Sequence, residues 1–288
     1  PTLQGILRVR ADGSETQEVY LSPDPLATQS YLAGWSPDGQ SLLFWQGIQM
    51  SASLLADGAP LMRVPITGGA PIRISSGMLA RQDFLVWSPD GQRLALVDGT
   101  GRSSWENKQI TSITASGSFQ LLSKAGHADL FPAWSPDGRW LAFSGVPAAP
   151  GIGGGDPAKA AMAQRRIWII GRDGTERRQL TSDPSFRDER PRWSRDSDFI
   201  LFPRLQGDQA QLWLIRADGT DLKKVVDELT PSPGWFGNYG YLDWGRLYDW
   251  WLGGPSLAGE SHTGGRPKAK PSPTPMVAMS PIPNLTRV

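Results

Sequence analysis

The stretch Trp134-Ser135-Pro136-Asp137-Gly138-Arg139-Trp140-Leu141-Ala142-Phe143 decides the fold. It reads as a strand end, a tight turn and a second strand. Pro presets φ for the second position of a type I turn, Asp bonds nearby backbone, and Gly accepts the left-handed residue that closes such a hairpin.

The same words recur. Trp35-Ser36-Pro37-Asp38-Gly39 precedes Leu42-Leu43-Phe44, and Trp87-Ser88-Pro89-Asp90-Gly91 precedes Leu94-Ala95-Leu96. Trp193-Ser194-Arg195-Asp196-Ser197 has lost both Pro and Gly, and Trp244-Gly245-Arg246-Leu247 is a decayed copy. The Trp-to-Trp steps are 52, 47, 59 and 51 residues. A period near 50 denotes an array of supersecondary units, in the range of β-propeller blades. A second hairpin alternates with the first, turning at Asp12-Gly13, Gly68-Gly69, Ser116-Gly117, Asp173-Gly174 and Asp218-Gly219 between β-branched and aromatic runs. Two hairpins per repeat make a four-stranded blade. The fold class is therefore an all-β propeller over residues 1–252. The first and last half-repeats (5–21 and 242–252) are expected to join into one blade and close a five-bladed ring, which leaves no sheet edge uncovered. A share in a six-bladed or larger ring is the alternative.

With these residues in view, the chain resembles the TolB-like, WD-repeat-related propellers over roughly residues 5–252, including the Leu180-Thr181 close of one repeat. The resemblance implies a bacterial, extracytoplasmic interaction or sensor module that binds a protein or peptide and carries no catalytic residues. The repeat speaks for the fold and hardly for an activity. Some peptidases of this repeat class join a propeller to a hydrolase domain, so a gating propeller detached from a hydrolase parent is a further reading. No Gly-x-Ser-x-Gly nucleophile elbow occurs in this chain.

Composition narrows the field. The 288 residues hold no Cys, which removes disulfides, thiol catalysis and Cys-ligated zinc. Net charge is +1, with +3 on residues 253–288, so the body has no electrostatic footprint for nucleic acid. No run approaches the length of a membrane span. The two histidines, His127 and His262, have no metal-ligand spacing, and no cofactor or metal is expected. Residues 253–288 are rich in Pro, Gly and Ser and read as a disordered, partly extended linker to a flanking domain or an anchor; Pro271, Pro273, Pro275, Pro281 and Pro283 argue against regular structure.

Strand alternation puts both short hairpin turns of each blade on one face and every longer connection on the other. Long loops on a rigid scaffold carry binding residues, so the long-loop face is the expected working surface. Its longest insertion, 145–166, is expected to hold a short helix started by Asp156 and Pro157, as a surface insertion or a lid.

The Trp residues before the turns should pack between sheets. Each would bury roughly 150–250 Å², worth at most ~4–6 kcal/mol. Acids that lead into the innermost strands are the candidate ligand groups: Asp83, Asp129, Asp188 and Glu189. They would gather near the channel mouth, to bind a cation, amine or basic peptide, or to serve as the carboxylate pair of a glycosidase. The plainer alternative is that each caps its own loop backbone. Arg192 and Asp243, each one residue before its Trp, are expected to face the axis and pair. Trp235, Phe236, Tyr239 and Tyr241 form an aromatic loop, read either as a binding platform or as a plug of the ring.

Overall fold

The computed structural model describes residues 5–24, 28–48, 57–207, 209–229, 239–250 and 276–279. Four antiparallel sheets of the blade type follow one another along the chain. The first runs β3 (Thr28–Trp35), β4 (Ser41–Ile48), β5 (Ala59–Pro65) and β6 (Ile72–Met78). The second is β7 (Leu85–Trp87), β8 (Arg93–Asp98), β9 (Gln109–Thr114) and β10 (Phe119–Leu121). The third is β11 (His127–Trp134), β12 (Trp140–Pro147), β13 (Arg166–Gly171) and β14 (Arg178–Gln179). In the fourth, β15 (Arg187–Asp188) and β16 (Arg192–Trp193) both pair with β17 (Phe199–Gln206), followed by β18 (Gln209–Arg216) and β19 (Lys223–Val226).

The remaining sheet corrects the expected closure. The hairpin β1 (Gly5–Arg10) and β2 (Gln17–Leu21) takes β20 (Met276–Met279) as its third strand, with Leu7 opposite Met279 and Arg10 opposite Met276. Among the described residues it is not joined by 242–250. There, Trp244–Arg246 forms a 3₁₀ turn instead of a hairpin, as the loss of Pro, Asp and Gly after Trp244 allows. Strand β20 falls within 253–288, the region whose prolines argue against regular structure. It lies between Pro275 and Pro281, in a stretch whose backbone N–H groups are available for a ladder.

Each Trp-Ser-Pro-Asp-Gly turn is organised by its serine. The Ser135 hydroxyl donates to Asp137 Oδ1 at 2.6 Å and accepts from Trp140 N at 2.9 Å. Asp137 Oδ1 also accepts from Arg139 N at 3.0 Å, and Gly138 takes φ +71°. The turns at Ser36 and Ser88 repeat these bonds. So does Ser194, where Ser197 adopts φ +66° in the place of glycine. The degenerate copy thus keeps the geometry through the Ser and Asp it retains. These bonds hold the Asp38, Asp90 and Asp196 carboxyls below their ordinary pKa, the serine hydroxyl being the leading cause in each.

The Trp residues are wedges, as expected. Trp134, Trp193 and Trp244 are buried and Trp35 and Trp87 half-buried. Trp193 joins Ala133, Ile167, Ile169 and Phe202 between the third and fourth blades, and its Nε1 donates to Ala133 O at 2.9 Å. Between the N-terminal sheet and the first blade, Ile6, Val19 and Tyr20 pack on Phe44 and Val64.

The first strands of the blades neighbour one another, β11 lying against β7 and β16. They therefore line the axis, and the connections 79–84, 99–108, 148–165 and 180–186 lie on one side of the molecule, opposite the serine turns. The insertion holds helix α1 (Asp156–Met162), with Gly155 as the cap residue and Asp156 in the first turn. Ala158, Ala161 and Met162 pack on Trp105, so the helix is docked.

Ser135→Ala should destabilise the protein by about 1–3 kcal/mol in urea unfolding, because it leaves the part-buried Trp140 N–H without its acceptor and removes one donor from Asp137. A change within experimental error would show the serine to be dispensable.

Candidate functional site

Three residues before the conserved-type Trp, the first strands break their register. β11 shifts between Leu130 and Ala133, where Phe131 adopts φ +56°. The fourth blade breaks between β15 and β16, where Arg190 adopts φ +33°. Such bulges re-aim side chains. The equivalent residues Phe84, Phe131 and Tyr241 turn toward one another, with ring centroids 5.7–5.9 Å apart. Tyr241 is thus part of an axial plug.

Beside this aromatic cluster lies a cavity of about 380 Å³, bounded by residues 80–86, 131–132, 190–192 and 241–245. Four sequence-predicted residues meet there: Asp83, Arg192, Tyr241 and Asp243. Tyr241 Oη donates to both Asp83 oxygens at 3.1 Å. Arg190 Nε stands 3.8 Å from Asp83 Oδ2, beyond hydrogen-bond reach, and Arg81 stacks on the Tyr241 ring at 4.1 Å. Burial pushes the Asp83 carboxyl up to about 6, against the pull of Arg190 and the Tyr241 hydroxyl; Asp243 adds to the rise. Burial likewise raises the Tyr241 phenol, so it remains a donor. Arg192 and Asp243, expected to face the axis and pair, both line this cavity, and Arg192 Nε also faces Asp249 at 3.5 Å.

The other acids are placed elsewhere, in buried ion pairs. Asp129 meets Arg177 at 3.0 and 3.1 Å. The residue opposite it on β12 is Gly145, where a Cβ would stand 2.5 Å from Asp129 Oδ1. Asp188 takes a two-pronged contact from Arg204, directly across the strand pair, at 2.6 and 2.9 Å. Glu189 accepts from Arg165 Nη1, Arg187 Nε and Trp244 Nε1, each at 2.6 Å. Burial works to raise the Glu189 carboxyl, but Arg187 and Arg165 outweigh it and hold it below its ordinary value. Arginine partners, rather than loop backbone, dominate all three acids.

Arg165 extends this cluster to Gly240 O at 2.8 Å and Ser104 O at 3.0 Å. Gly240 has φ +77°, and a Cβ there would fall 2.0 Å from Met162 Sδ; only glycine fits. Tyr239 is exposed, with Arg102 over its ring at 5.1 Å and Asp57 holding Arg102. Trp235 and Phe236 lie outside the described residues. His127 is half-buried beside Arg177 and edge-on to Trp168. Among the described residues no group of three or more His, Asp and Glu is arranged to hold a metal ion, and no helix is long and apolar enough to cross a membrane.

Sequence reasoning missed Arg81 and Arg190. Arg190 was findable: it stands three before Trp193, as Phe84, Phe131 and Tyr241 stand three before theirs.

No family model matches the chain. An uncharacterised protein of Agrobacterium fabrum is 25% identical over 194 residues, which span 67% of this chain and 57% of the relative. The chain thus matches little more than half the length of that curated relative. A putative TolB from Agrobacterium tumefaciens aligns with 76% of this chain and 87% of its own, at 17% identity and a TM-score of 0.44. A puromycin-hydrolysing peptidase of Mycobacterium tuberculosis aligns with 79% of this chain and 37% of its own, at 14% identity and a TM-score of 0.52. The fold is a β-propeller. At such identities the likeness carries the propeller architecture and no activity.

Two outcomes test the site. Asp83 protonates more readily folded than unfolded, so its contribution is complete below about pH 4 and is lost as pH rises through 6. Asp83→Asn should therefore match the wild type near pH 4 and exceed its stability at pH 7–8, by up to ~3 kcal/mol. A pH-independent difference would contradict this. Glu189→Gln should cost about 3–5 kcal/mol, because it leaves two buried guanidinium groups without their counter-charge, as read by urea unfolding at pH 7.

Proposed function

We propose that this propeller is a non-catalytic binding module that receives a segment of another protein or peptide at the axial cavity, from its long-loop side. One observation carries the reading. At the axial cavity polar side chains from separate blades converge on open space, whereas Asp129, Asp188 and Glu189 are consumed in ion pairs that build the scaffold. A pocket with a few convergent polar groups on apolar walls is the usual form of a binding site. The TolB-like resemblance of the repeat supports the same role, and an extracytoplasmic location with it.

A second reading has a specific observation behind it. Asp83, raised to about 6 by burial, shares the cavity with Asp243, and a raised carboxyl beside a second one suits acid–base hydrolysis of a glycoside. Against it, Tyr241 donates to both oxygens of the Asp83 carboxyl, which is thereby already engaged.

Panning a random peptide library on the intact protein separates the readings. Peptides recovered on the wild type should be lost on Val86→Trp, which fills the cavity, while thermal stability is retained. Equal recovery on the variant would overturn the axial site. Hydrolysis of a panel of aryl glycosides by the wild type, abolished in Asp83→Asn, would establish the enzyme instead.

A further inference from the structure

We propose that the axial cavity is a carboxylate-binding site built on Arg190, and that its ligand is a peptide carboxylate carried on a short apolar stem. The proposal rests on the binding reading above and gives it a chemistry.

Arg190 is 5% exposed, yet its Nε and Nη1 have no protein acceptor within hydrogen-bond distance. Other buried arginines meet acceptors through their terminal nitrogens, although Arg165 Nε also lacks one. Arg204 has both Asp188 oxygens, and Arg165 donates through both terminal nitrogens. A buried cationic donor left unanswered is costly, so its persistence points to an acceptor supplied from outside. The group is also held in place. Its backbone carbonyl accepts the Tyr248 hydroxyl, its guanidinium lies 5.3 Å from the Tyr248 ring centroid, and Gly245 leaves room for Nη2, which would stand 3.4 Å from a Cβ there. Tyr248 is itself buried. Arg81 Nε and Arg192 Nε border the same cavity and lack hydrogen-bond acceptors too.

Charge and size select the ligand. The lining sets Arg81, Arg190 and Arg192 against Asp83 and Asp243, with Asp249 facing Arg192 at 3.5 Å. The lining itself sets three guanidinium groups against two carboxylates, a surplus of one positive charge that suits a monoanion better than a phosphate dianion. A volume of about 380 Å³ is at the small end for ligand pockets. It admits a terminal residue or an acidic side chain, not a folded partner. Leu85, Val86, Phe131 and Pro132 supply apolar wall for the stem.

The test uses calorimetric titration of the intact protein with four probes: N-acetyl-Ala-Ala-Leu, its C-terminal amide, 4-methylpentanoate and inorganic phosphate. The free-acid peptide should bind, with the amide and phosphate weaker by about 10–100-fold, the worth of a hydrogen bond to a charged group. Arg190→Met should lose the same factor and Arg190→Lys only part of it. Because Arg190 is buried, the wild-type Arg190 Nε–Hε resonance is followed as well, and it should shift on titration with the peptide acid and stay fixed with the amide. Equal binding of acid and amide, or no shift at Arg190 with either carboxylate, would overturn the proposal. Binding of 4-methylpentanoate as tight as that of the peptide would keep the carboxylate site but replace the peptide source with a free organic acid, and the protein-binding reading would fall alone.

Discussion

The carboxylate of Glu189 holds the centre of this propeller together. It draws Arg165 from the loop before β13, Arg187 from β15 and the indole of Trp244 into one buried contact set. Through Arg165 the set also reaches the carbonyls of Ser104 and Gly240. Four stretches that are far apart in sequence are thereby fixed at one point. Buried ion pairs bring little net stability, since desolvation offsets most of their attraction, but breaking one is expensive. Here the set does something apolar packing would do less sharply: it fixes residues 240–248 against the axis in one position. The cavity exists because that segment is there.

The same economy explains why the decayed fifth repeat is no defect in the centre. Trp244 keeps the wedge role of its counterparts without a hairpin behind it, through Glu189. Tyr241 completes the ring cluster with Phe84 and Phe131 and caps Asp83. Tyr248 braces Arg190. A segment released from strand pairing can bring several side chains to the axis, where a regular strand would present every second one.

Local chemistry made the blades legible. Trp, Ser, Pro, Asp and Gly act within five residues of one another, so a repeated word predicts a repeated hairpin, and the Ser194 copy holds even without Pro and Gly because its hydroxyl and Asp196 make the same bonds. The site was legible by position and not by partner. The acids before each Trp do reach the interior, but what they meet depends on register. Asp188 faces Arg204 only because the break at 189–191 leaves β15 and β16 in separate registers on β17. Residues 276–279 were unreadable for a related reason: a short apolar run between prolines becomes a strand only where an edge such as β1 is open to it.

The register break also ties scaffold to function. In a plain strand the residue three before Trp would follow the sheet's alternation. A bulge turns it to the axis, at the cost of a left-handed backbone in Phe131 and Arg190. Such strain, on the order of 1 kcal/mol or more per residue, persists only where surrounding contacts overdetermine it. For Phe131 the contacts are visible: the Phe84 and Tyr241 rings. For Arg190 they are visible on the backbone side, in the Tyr248 hydroxyl, and on one ring face. What the strained backbone of Arg190 delivers is a cation in a cavity, where its equivalents Phe84, Phe131 and Tyr241 deliver packed rings.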